Sequence, residues 1–245
     1  MNSWHLATLV DSHMVASDVK ALRFRVDDWK KHKAGQHYDL RLTAENGYQA
    51  VRAYSVASAP EEEGIVKFGI QLLENGEVSP YLFEMQPGGQ VELKGPLGGH
   101  FIWDISMPGP LVLIGGGSGM VPLMSMLRHY MLHAEKDPRR DIRVLMSYRS
   151  IERVLYKDEL DKMASEHKNI KISVTLTNQQ PPKWKGYSRR VDVEIMKEVA
   201  GNLVTEMPMI YICGPTPFVE ASANHLLTVD FNPHEIRTER FGPTG

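Results

Sequence analysis

The sequence predicts two successive domains, an antiparallel β-barrel followed by an α/β domain with a parallel sheet. Up to about residue 106, short apolar runs are separated by turn residues, which is typical of an antiparallel barrel or sandwich. After the Pro-Gly-Pro at 108–110, strand signals alternate with helical patterns, which is typical of a parallel sheet between helices. We therefore expect one domain over residues 1–106 and a second over residues 107–245.

The first half carries strand signals in which apolar residues alternate with polar ones. The predicted strands cover residues 6–10, 22–26, 38–42, 51–57, 65–73 and 91–94. A short helix is predicted over residues 80–85, after the turn at Asn75-Gly76. The shortness and close spacing of these strands favour the barrel.

The second half alternates strands with helices. Strands are predicted at residues 111–114, 142–148, 170–176, 209–213 and 235–240. Helices are predicted from residue 121 and over residues 157–167, 191–200 and 217–227. This order predicts a parallel sheet with helices on both faces.

Composition limits the classes of protein to consider. A formal net charge of −2 gives no electrostatic reason to expect nucleic acid as the main partner. The single cysteine, Cys213, excludes an internal disulfide framework and any cysteine-ligated cluster made by this chain alone. The sequence shows no long apolar run and no signal-peptide pattern, so we expect a cytoplasmic protein without membrane insertion.

Residues 111–122 combine a strand pattern, a glycine turn and a helix start in the run Leu-Val-Leu-Ile-Gly-Gly-Gly-Ser-Gly-Met-Val-Pro. Free N–H groups and the helix dipole would converge there on an anion, so we predict a cradle for the phosphates of a dinucleotide. Pro122 suits the first helical turn, where its missing N–H is no loss. The run is not a complete G-x-G-x-x-G, because Met120 takes the place of the third glycine. The alternative is a tight turn without a ligand.

A second motif, Arg52-Ala53-Tyr54-Ser55, places a cation, an aromatic ring and a hydroxyl on one predicted strand. Lining a flavin, the arginine would pair with a phosphate and the tyrosine would pack on the ring system. The serine would hydrogen-bond near the reactive nitrogen of the flavin. An ordinary half-exposed strand is the alternative.

Two further turns complete the set of candidate ligand contacts. The turn from Gly76 to Ser79 leads into the short helix, and we expect Ser79 to be the N-cap of that helix. The free N–H groups at the helix start could bind a phosphate, and simple helix capping is the alternative. Cys213 and Gly214 end an apolar strand, where ligands of open α/β sheets bind, so Cys213 falls where a nicotinamide ring would sit. A small residue in a tight turn is the alternative.

In order and spacing, these motifs together with a closing Glu239-Arg-Phe241 resemble the ferredoxin–NADP reductase superfamily of flavoproteins over nearly the whole chain. The resemblance implies a six-stranded antiparallel FAD-binding barrel followed by a nucleotide-binding domain. It is strongest to reductase components of oxygenases and to stand-alone ferredoxin or flavin reductases. Many oxygenase reductases carry a fused [2Fe–2S] domain with four cysteines, and this chain has one cysteine.

The resemblance also implies roles for individual residues. It places flavin contacts on Arg52, Ala53, Tyr54, Ser55, Glu77, Val78, Ser79 and Ser118. It places pyridine-nucleotide contacts on Gly116, Gly117, Pro122, Cys213 and Gly214. Phe241 resembles an aromatic residue that covers the flavin in some members, and Glu239 an acidic residue near the hydride path. Ser55, Cys213 and Glu239 are the residues expected to shape the transfer.

The choice between NADPH and NADH depends on the end of the strand at residues 142–148. An acidic residue there would bind the ribose hydroxyls, and none stands at that position, whereas Arg149 and Arg153 suit a 2′-phosphate. Arg189 and Arg190 are further candidates. NADPH is therefore favoured, with solvated surface arginines as the alternative.

The sequence thus predicts a flavin-dependent reductase that moves hydride from NAD(P)H to FAD and then single electrons to an external acceptor, a ferredoxin or another redox protein. The alternatives are a free-flavin reductase, which uses flavin as a substrate, and a non-catalytic module that senses nucleotide. His129 and His133 have the spacing of metal ligands, but no third ligand is evident, so we expect no metal site.

Overall fold

The computed structural model describes residues 3–242, which form two compact units. One unit contains the residues up to Asp104 together with Met124–Leu132. The other contains Ile105–Leu123 and the residues from His133 onward. Each unit is built around its own sheet.

The first unit contains an antiparallel sheet and one short helix. Its strands are β1 (His5–Ala16), β2 (Val19–Val26), β3 (His37–Thr43), β4 (Gln49–Ser55), β5 (Ile65–Gln71) and β6 (Gln90–Leu97), and helix α1 spans Ser79–Glu84. Within residues 3–242 this sheet has six strands in the order β4-β3-β6-β1-β2-β5.

The two outer strands of this sheet meet, which closes it into a barrel. Val56, just beyond β4, forms an antiparallel bridge with Phe68 on β5, and the Ala57 N–H donates to the Lys67 carbonyl at 2.7 Å. Inward-facing side chains alternate along the strands, as on β5, where Val66, Phe68 and Ile70 are fully buried. The six-stranded antiparallel barrel implied by the family resemblance is confirmed.

The second unit is an α/β structure. Its strands are β7 (Leu111–Gly116), β8 (Ile142–Tyr148), β9 (Ile170–Leu176), β10 (Met209–Pro215) and β11 (Ile236–Phe241). Its helices are α3 (Lys157–Glu166), α4 (Val193–Ala200) and α5 (Thr216–Thr228), and α2 (Met120–Leu132) begins in this unit. In the described part of the chain the sheet has five strands, all parallel, in the order β11-β10-β7-β8-β9.

The central strand β7 is covered by helices and is fully buried. All six of its residues are buried, as expected of a parallel strand covered on both faces. Ile195 on α4 and Leu226 on α5 pack with Val112 and Ile114 of β7 in one buried cluster. The predicted parallel sheet with helices is confirmed.

The part of α2 that belongs to the first unit is anchored by polar contacts to residues that follow β4. Ser125 Oγ donates to the Ser58 carbonyl at 2.6 Å, and Arg128 Nη1 donates to the Ala57 carbonyl at 2.7 Å. His129 Nδ1 lies 3.0 Å from a carboxylate oxygen of Glu61. No local sequence pattern indicates this partner for His129, because Glu61 lies far away along the chain.

Among the described residues, the helices lack the combination of length and apolar character that crossing a bilayer requires.

Candidate functional site

Strand β4 carries four of the predicted flavin contacts. Arg52, Tyr54 and Ser55 are each half-buried on this strand, and Ala53 is exposed. The Tyr54 ring packs against Phe68 with centroids 6.3 Å apart, and burial raises the pKa of its phenol to about 12. The phenol is therefore protonated at neutral pH, and Tyr54 offers an uncharged face and one O–H donor.

Ser55 has a titratable neighbour that the sequence analysis missed. The register of the β3–β4 ladder pairs His37 directly with Ser55. Directly opposed residues of an antiparallel pair have their Cβ atoms about 4.5–5.5 Å apart. Burial lowers the pKa of the His37 imidazole, and nearby Asp39 partly offsets this effect. A neutral imidazole thus stands beside the predicted hydrogen-bonding serine, and only knowledge of the hairpin register would have revealed it.

Arg52 is held by a loop carboxylate and by a carbonyl of its own strand. Its Nη2 donates to Glu77 Oε2 at 2.9 Å, and its Nη1 donates to the Val51 carbonyl at 2.8 Å. The Tyr48 hydroxyl donates to the other oxygen of the same carboxylate at 3.0 Å. Arg52 and Glu77, both predicted flavin contacts, are therefore brought together, and Tyr48 joins them although the sequence analysis did not select it.

The expectation that Ser79 caps the short helix is wrong. Helix α1 begins at Ser79 itself, and the N-cap residue, Val78, makes no side-chain capping bond in the described structure. Ser79 is buried, and its Oγ accepts the Leu73 N–H at 3.0 Å, so the hydroxyl closes the preceding loop. The turn at Gly76 explains this role, because the chain folds back there and brings Ser79 to Leu73.

The glycine turn after β7 depends on two glycines, Gly117 for its backbone angle and Gly119 for its close contact. Gly117 has φ +56°, and a Cβ built on it would meet no atom within 4 Å, so the turn borders open space. A Cβ on Gly119 would lie 2.1 Å from the Cys213 carbonyl oxygen, so this glycine allows the turn to press against β10. Helix α2 starts at Met120, which leaves Pro122 in its first turn as predicted.

The same turn brings together predicted nucleotide contacts, Gly116 and Gly214, and one predicted flavin contact, Ser118. A Cβ on Gly116 or on Gly214 would lie 2.6 or 2.8 Å, respectively, from an atom of the Phe218 ring, so neither position has room for a side chain. Ser118 is half-buried in the turn that follows Gly116. Strands β7 and β10 are adjacent in the sheet, so Gly116, Ser118 and Gly214 lie at one edge of it, where α/β folds bind ligands.

Cys213 and Glu239 are paired in register on β10 and β11. Cys213 is 1% exposed, and burial, together with the nearby Glu239 carboxyl, raises the pKa of its thiol. Burial also raises the pKa of Glu239 to about 7. Phe241 stands opposite Pro215 at the end of the same two strands and is 36% exposed.

The loop after β8 combines cations with an unexpected carboxylate. Arg149 is exposed and Arg153 is half-buried. A hydrogen bond from Ser150 lowers the pKa of the Glu152 carboxyl, so Glu152 is ionised beside a hydroxyl of the same loop. The strand end itself has no acidic residue, but the loop that follows it carries one, Glu152.

Arg189 has a structural role in the described fold. Its Nε donates to Asp192 Oδ2 at 2.6 Å, and Asp192 Oδ1 in turn accepts the Ile195 N–H at the start of α4. The guanidinium is thus tied to a helix cap and is a weaker candidate for phosphate than Arg149. Arg190 is exposed.

The geometry of both units agrees with comparisons to known families. Residues 6–102 match the oxidoreductase FAD-binding domain, and residues 113–224 match the oxidoreductase NAD-binding domain. The chain is 32% identical over 213 residues to ferredoxin–NADP reductase B of Sorangium cellulosum, a match that covers 85% of each chain. The chain belongs to the ferredoxin–NADP reductase family of flavoprotein oxidoreductases. The resemblance inferred from the ordered motifs is confirmed.

Other relatives differ in length, and their names refer to other electron acceptors. The chain is 29% identical over 238 residues to NADH-cytochrome b5 reductase 1 of Dictyostelium discoideum, covering 94% of this chain and 79% of that protein. It is 28% identical over 229 residues to a component of the Na(+)-translocating NADH-quinone reductase of Methylococcus capsulatus. The latter match covers 88% of this chain and only 54% of the relative, so the chain spans about half of that protein's length.

A solved structure shows the same fold over nearly the full length of both chains. A ferredoxin NADP+ reductase from Neisseria gonorrhoeae, with bound FAD and NADP, superposes with a TM-score of 0.80 at 20% identity. The match covers 98% of this chain and 99% of that one.

The residues present fit both groups that the family binds. The glycine turn leaves open space at Gly117 beside a helix start, which suits the phosphates of a pyridine nucleotide. Strand β4 offers a guanidinium, an aromatic face and a hydroxyl in sequence, which suits the phosphate and ring of a flavin. FAD and a pyridine nucleotide are therefore the ligands of this family that the chain is equipped to hold.

Proposed function

We propose that this protein is a flavin-dependent reductase that takes electrons from NAD(P)H and delivers them to an external acceptor, a ferredoxin or another small redox protein. The observation that carries the proposal is the close packing of the glycine turn on β10. Gly119 brings the turn against the Cys213 carbonyl and leaves Gly117 beside open space, which supports a dinucleotide site. Membership of a FAD- and NAD-binding family supports the flavin.

We propose that residues 1–106 act as the FAD-binding domain and residues 107–245 as the NAD(P)-binding domain. The family matches over residues 6–102 and 113–224 support this division. We also propose a cytoplasmic location, as expected from the sequence.

The protein side chains bind, orient and exclude water. Bound FAD supplies the ability to accept a hydride and release single electrons. Arg52 pairs with the flavin phosphates, Tyr54 packs on the ring system, and Ser55 hydrogen-bonds near its reactive nitrogen. His37 positions the Ser55 hydroxyl, because the strand register sets the two residues opposite each other and a neutral imidazole can either accept or donate a hydrogen bond.

In the second unit, Gly116 and Gly117 hold the nucleotide phosphates, and Cys213 and Gly214 hold the nicotinamide end. Cys213 contributes shape and not a nucleophile, because burial keeps its thiol protonated at neutral pH. Glu239 has a pKa of about 7 and can hold a proton near this end of the site.

We propose NADPH as the preferred reductant. The exposed Arg149 and the half-buried Arg153 follow β8, where they support binding of a 2′-phosphate. The ionised Glu152 in the same loop opposes a phosphate, so the preference for NADPH over NADH is modest.

A second candidate function is the reduction of free flavin, with flavin as a substrate. The ion pair between Arg52 and Glu77 favours it, because a carboxylate at the phosphate-binding arginine weakens flavin retention. A non-catalytic nucleotide sensor is disfavoured, because Arg52, Tyr54, Ser55 and Cys213 are all intact.

Turnover with separate acceptors tests the proposal. The protein, reconstituted with FAD, is assayed for NADPH oxidation with ferricyanide, with a small ferredoxin, and with excess free riboflavin. We expect FAD-dependent reduction of ferricyanide and of a ferredoxin. If riboflavin is the only acceptor that supports NADPH oxidation, the protein is a free-flavin reductase. If none of the three acceptors supports NADPH oxidation, both functions are contradicted.

A further inference from the structure

The arginine predicted to bind the flavin phosphate is already paired with a carboxylate of this chain. Glu77 accepts a hydrogen bond from Arg52 at 2.9 Å and a second from the Tyr48 hydroxyl at 3.0 Å. Both charged side chains remain open to solvent, with 40% of Arg52 and 51% of Glu77 exposed. A ligand can therefore reach this pair without disrupting the barrel core.

We propose that Glu77 competes with the diphosphate of FAD for Arg52 and thereby weakens flavin binding, so that the protein exchanges its flavin readily. The inference rests on the proposed function, because it concerns the same flavin site. It assigns to Glu77 the opposite of the role expected from the family resemblance, which was that of a simple flavin contact.

The physical reason is that two anions compete for one cation. A phosphate that approaches Arg52 must displace the Glu77 carboxylate or accept repulsion from it at close range. Displacement also breaks the bond from Tyr48. That bond holds the Glu77 carboxylate from the side away from Arg52's hydrogen bond, because the two donors use different oxygens of the carboxylate. Flavin binding is therefore strengthened only by the difference between two interaction energies, that of Arg52 with phosphate and that of Arg52 with the Glu77 carboxylate.

The competition depends on ligand charge, which gives the inference a specific signature. FAD carries its negative charge on the diphosphate, whereas riboflavin has the same ring system without phosphate. Removing the Glu77 charge should therefore strengthen binding of FAD and leave binding of riboflavin unchanged.

The experiment measures dissociation constants of FAD and riboflavin by quenching of flavin fluorescence. It compares the wild-type protein with Glu77→Gln, Tyr48→Phe and Glu74→Gln. Glu74 is an exposed carboxylate in the same loop as Glu77 and provides a matched loss of charge. Thermal melting checks that each variant is folded.

We expect Glu77→Gln to bind FAD about three- to tenfold more tightly than wild type, the size of a surface charge effect. Tyr48→Phe loosens the carboxylate but keeps its charge, so it should tighten FAD binding by about two- to threefold, less than Glu77→Gln. Glu74→Gln and all riboflavin affinities should stay within about twofold of wild type, because screened charges without a shared partner contribute little.

Unchanged or weaker FAD binding by Glu77→Gln, with a wild type that binds FAD, would overturn the inference and leave the proposed function standing. Equal tightening in Glu74→Gln would overturn it as well, because the effect would then be general to the charge of the loop. A wild type that binds no FAD would overturn the proposed function and the inference together.

Discussion

Cys213 and Glu239 are paired in register on neighbouring parallel strands, β10 and β11, with the thiol buried and the carboxyl half-buried. Burial raises the pKa of the Glu239 carboxyl to about 7 and is the main reason that the pKa of the Cys213 thiol is also raised. At neutral pH the thiol is uncharged, and the carboxyl is divided between its two forms. Glu239 can therefore take up or release a proton near neutral pH at the end of the sheet where the nucleotide is proposed to bind.

This arrangement predicts how stability depends on pH. The native state holds the Glu239 proton more tightly than the unfolded chain, since the pKa rises from 4.5 to about 7 on folding. The free energy of unfolding contributed by this group therefore falls as pH rises from about 4.5 through about 7. In Glu239→Gln this contribution is absent, so the variant should gain stability over wild type as pH increases. Urea unfolding of both proteins at pH 5 and pH 8 measures the difference, and a difference that is constant with pH would contradict the assignment.

The glycine turn gives a second prediction, because its two special glycines are constrained in different ways. Gly119→Ala would place a Cβ 2.1 Å from the Cys213 carbonyl oxygen, so the turn must move away from β10. We expect this variant to lose at least about 2 kcal/mol of stability and to bind NADPH at least about tenfold more weakly. Gly117→Ala is the control, because its Cβ meets open space and only the φ of +56° costs about 1 kcal/mol. Melting temperature and nucleotide titration test both, and equal effects would show that contact with β10 is unimportant.

The pairing of His37 with Ser55 gives a third prediction. Ser55→Ala removes the hydroxyl expected near the reactive nitrogen of the flavin, and flavin reduction should slow by about 100-fold, typical of the loss of one such donor. In the wild type the rate should fall as pH drops below 6.5 toward the lowered pKa of His37, where the imidazole becomes charged. This acidic decline should disappear in His37→Gln. Stopped-flow reduction rates from pH 5 to 8 provide the test, and an unchanged pH profile in His37→Gln would exclude a positioning role.

The loop after β8 gives a prediction about coenzyme choice. Arg149→Ala should raise the KM for NADPH about tenfold and leave the KM for NADH unchanged, because only NADPH carries the 2′-phosphate. Glu152→Gln should lower the KM for NADPH, since it removes an ionised carboxylate from the same loop. Arg139→Ala serves as the control, because this exposed arginine precedes β8 and lies at the opposite end of the strand. An equal rise in KM for both nucleotides in Arg149→Ala would contradict a phosphate-binding role.

The fold was predictable because its signals are local and repeated. Alternating apolar residues marked β2, and the unbroken apolar run at 111–114 marked the central strand β7, which is buried throughout. The glycine turn at the start of α2 was visible because a strand, several glycines and Pro122 follow one another directly.

The parts of the site that the sequence did not reveal depend on pairing between distant segments. His37 is opposite Ser55 only because of the register of the β3–β4 ladder, which no local pattern specifies. Glu77 reaches Arg52 from one loop, and Tyr48 from another loop binds the same Glu77 carboxylate. The carboxyl of Glu239 acquires its raised pKa from its surroundings. Ser79 was misassigned because its hydroxyl bonds back to Leu73 instead of to the helix that it begins.

The central claim is that one chain binds flavin and lets a pyridine nucleotide reduce it. The most direct measurement is the absorption spectrum of the FAD-reconstituted protein under anaerobic conditions, recorded during titration with NADPH and, separately, with NADH. We predict a bound-flavin spectrum that bleaches with one equivalent of NADPH and bleaches less readily with NADH. A protein that takes up no FAD, or whose bound flavin keeps its oxidised spectrum with both nucleotides, would contradict the account.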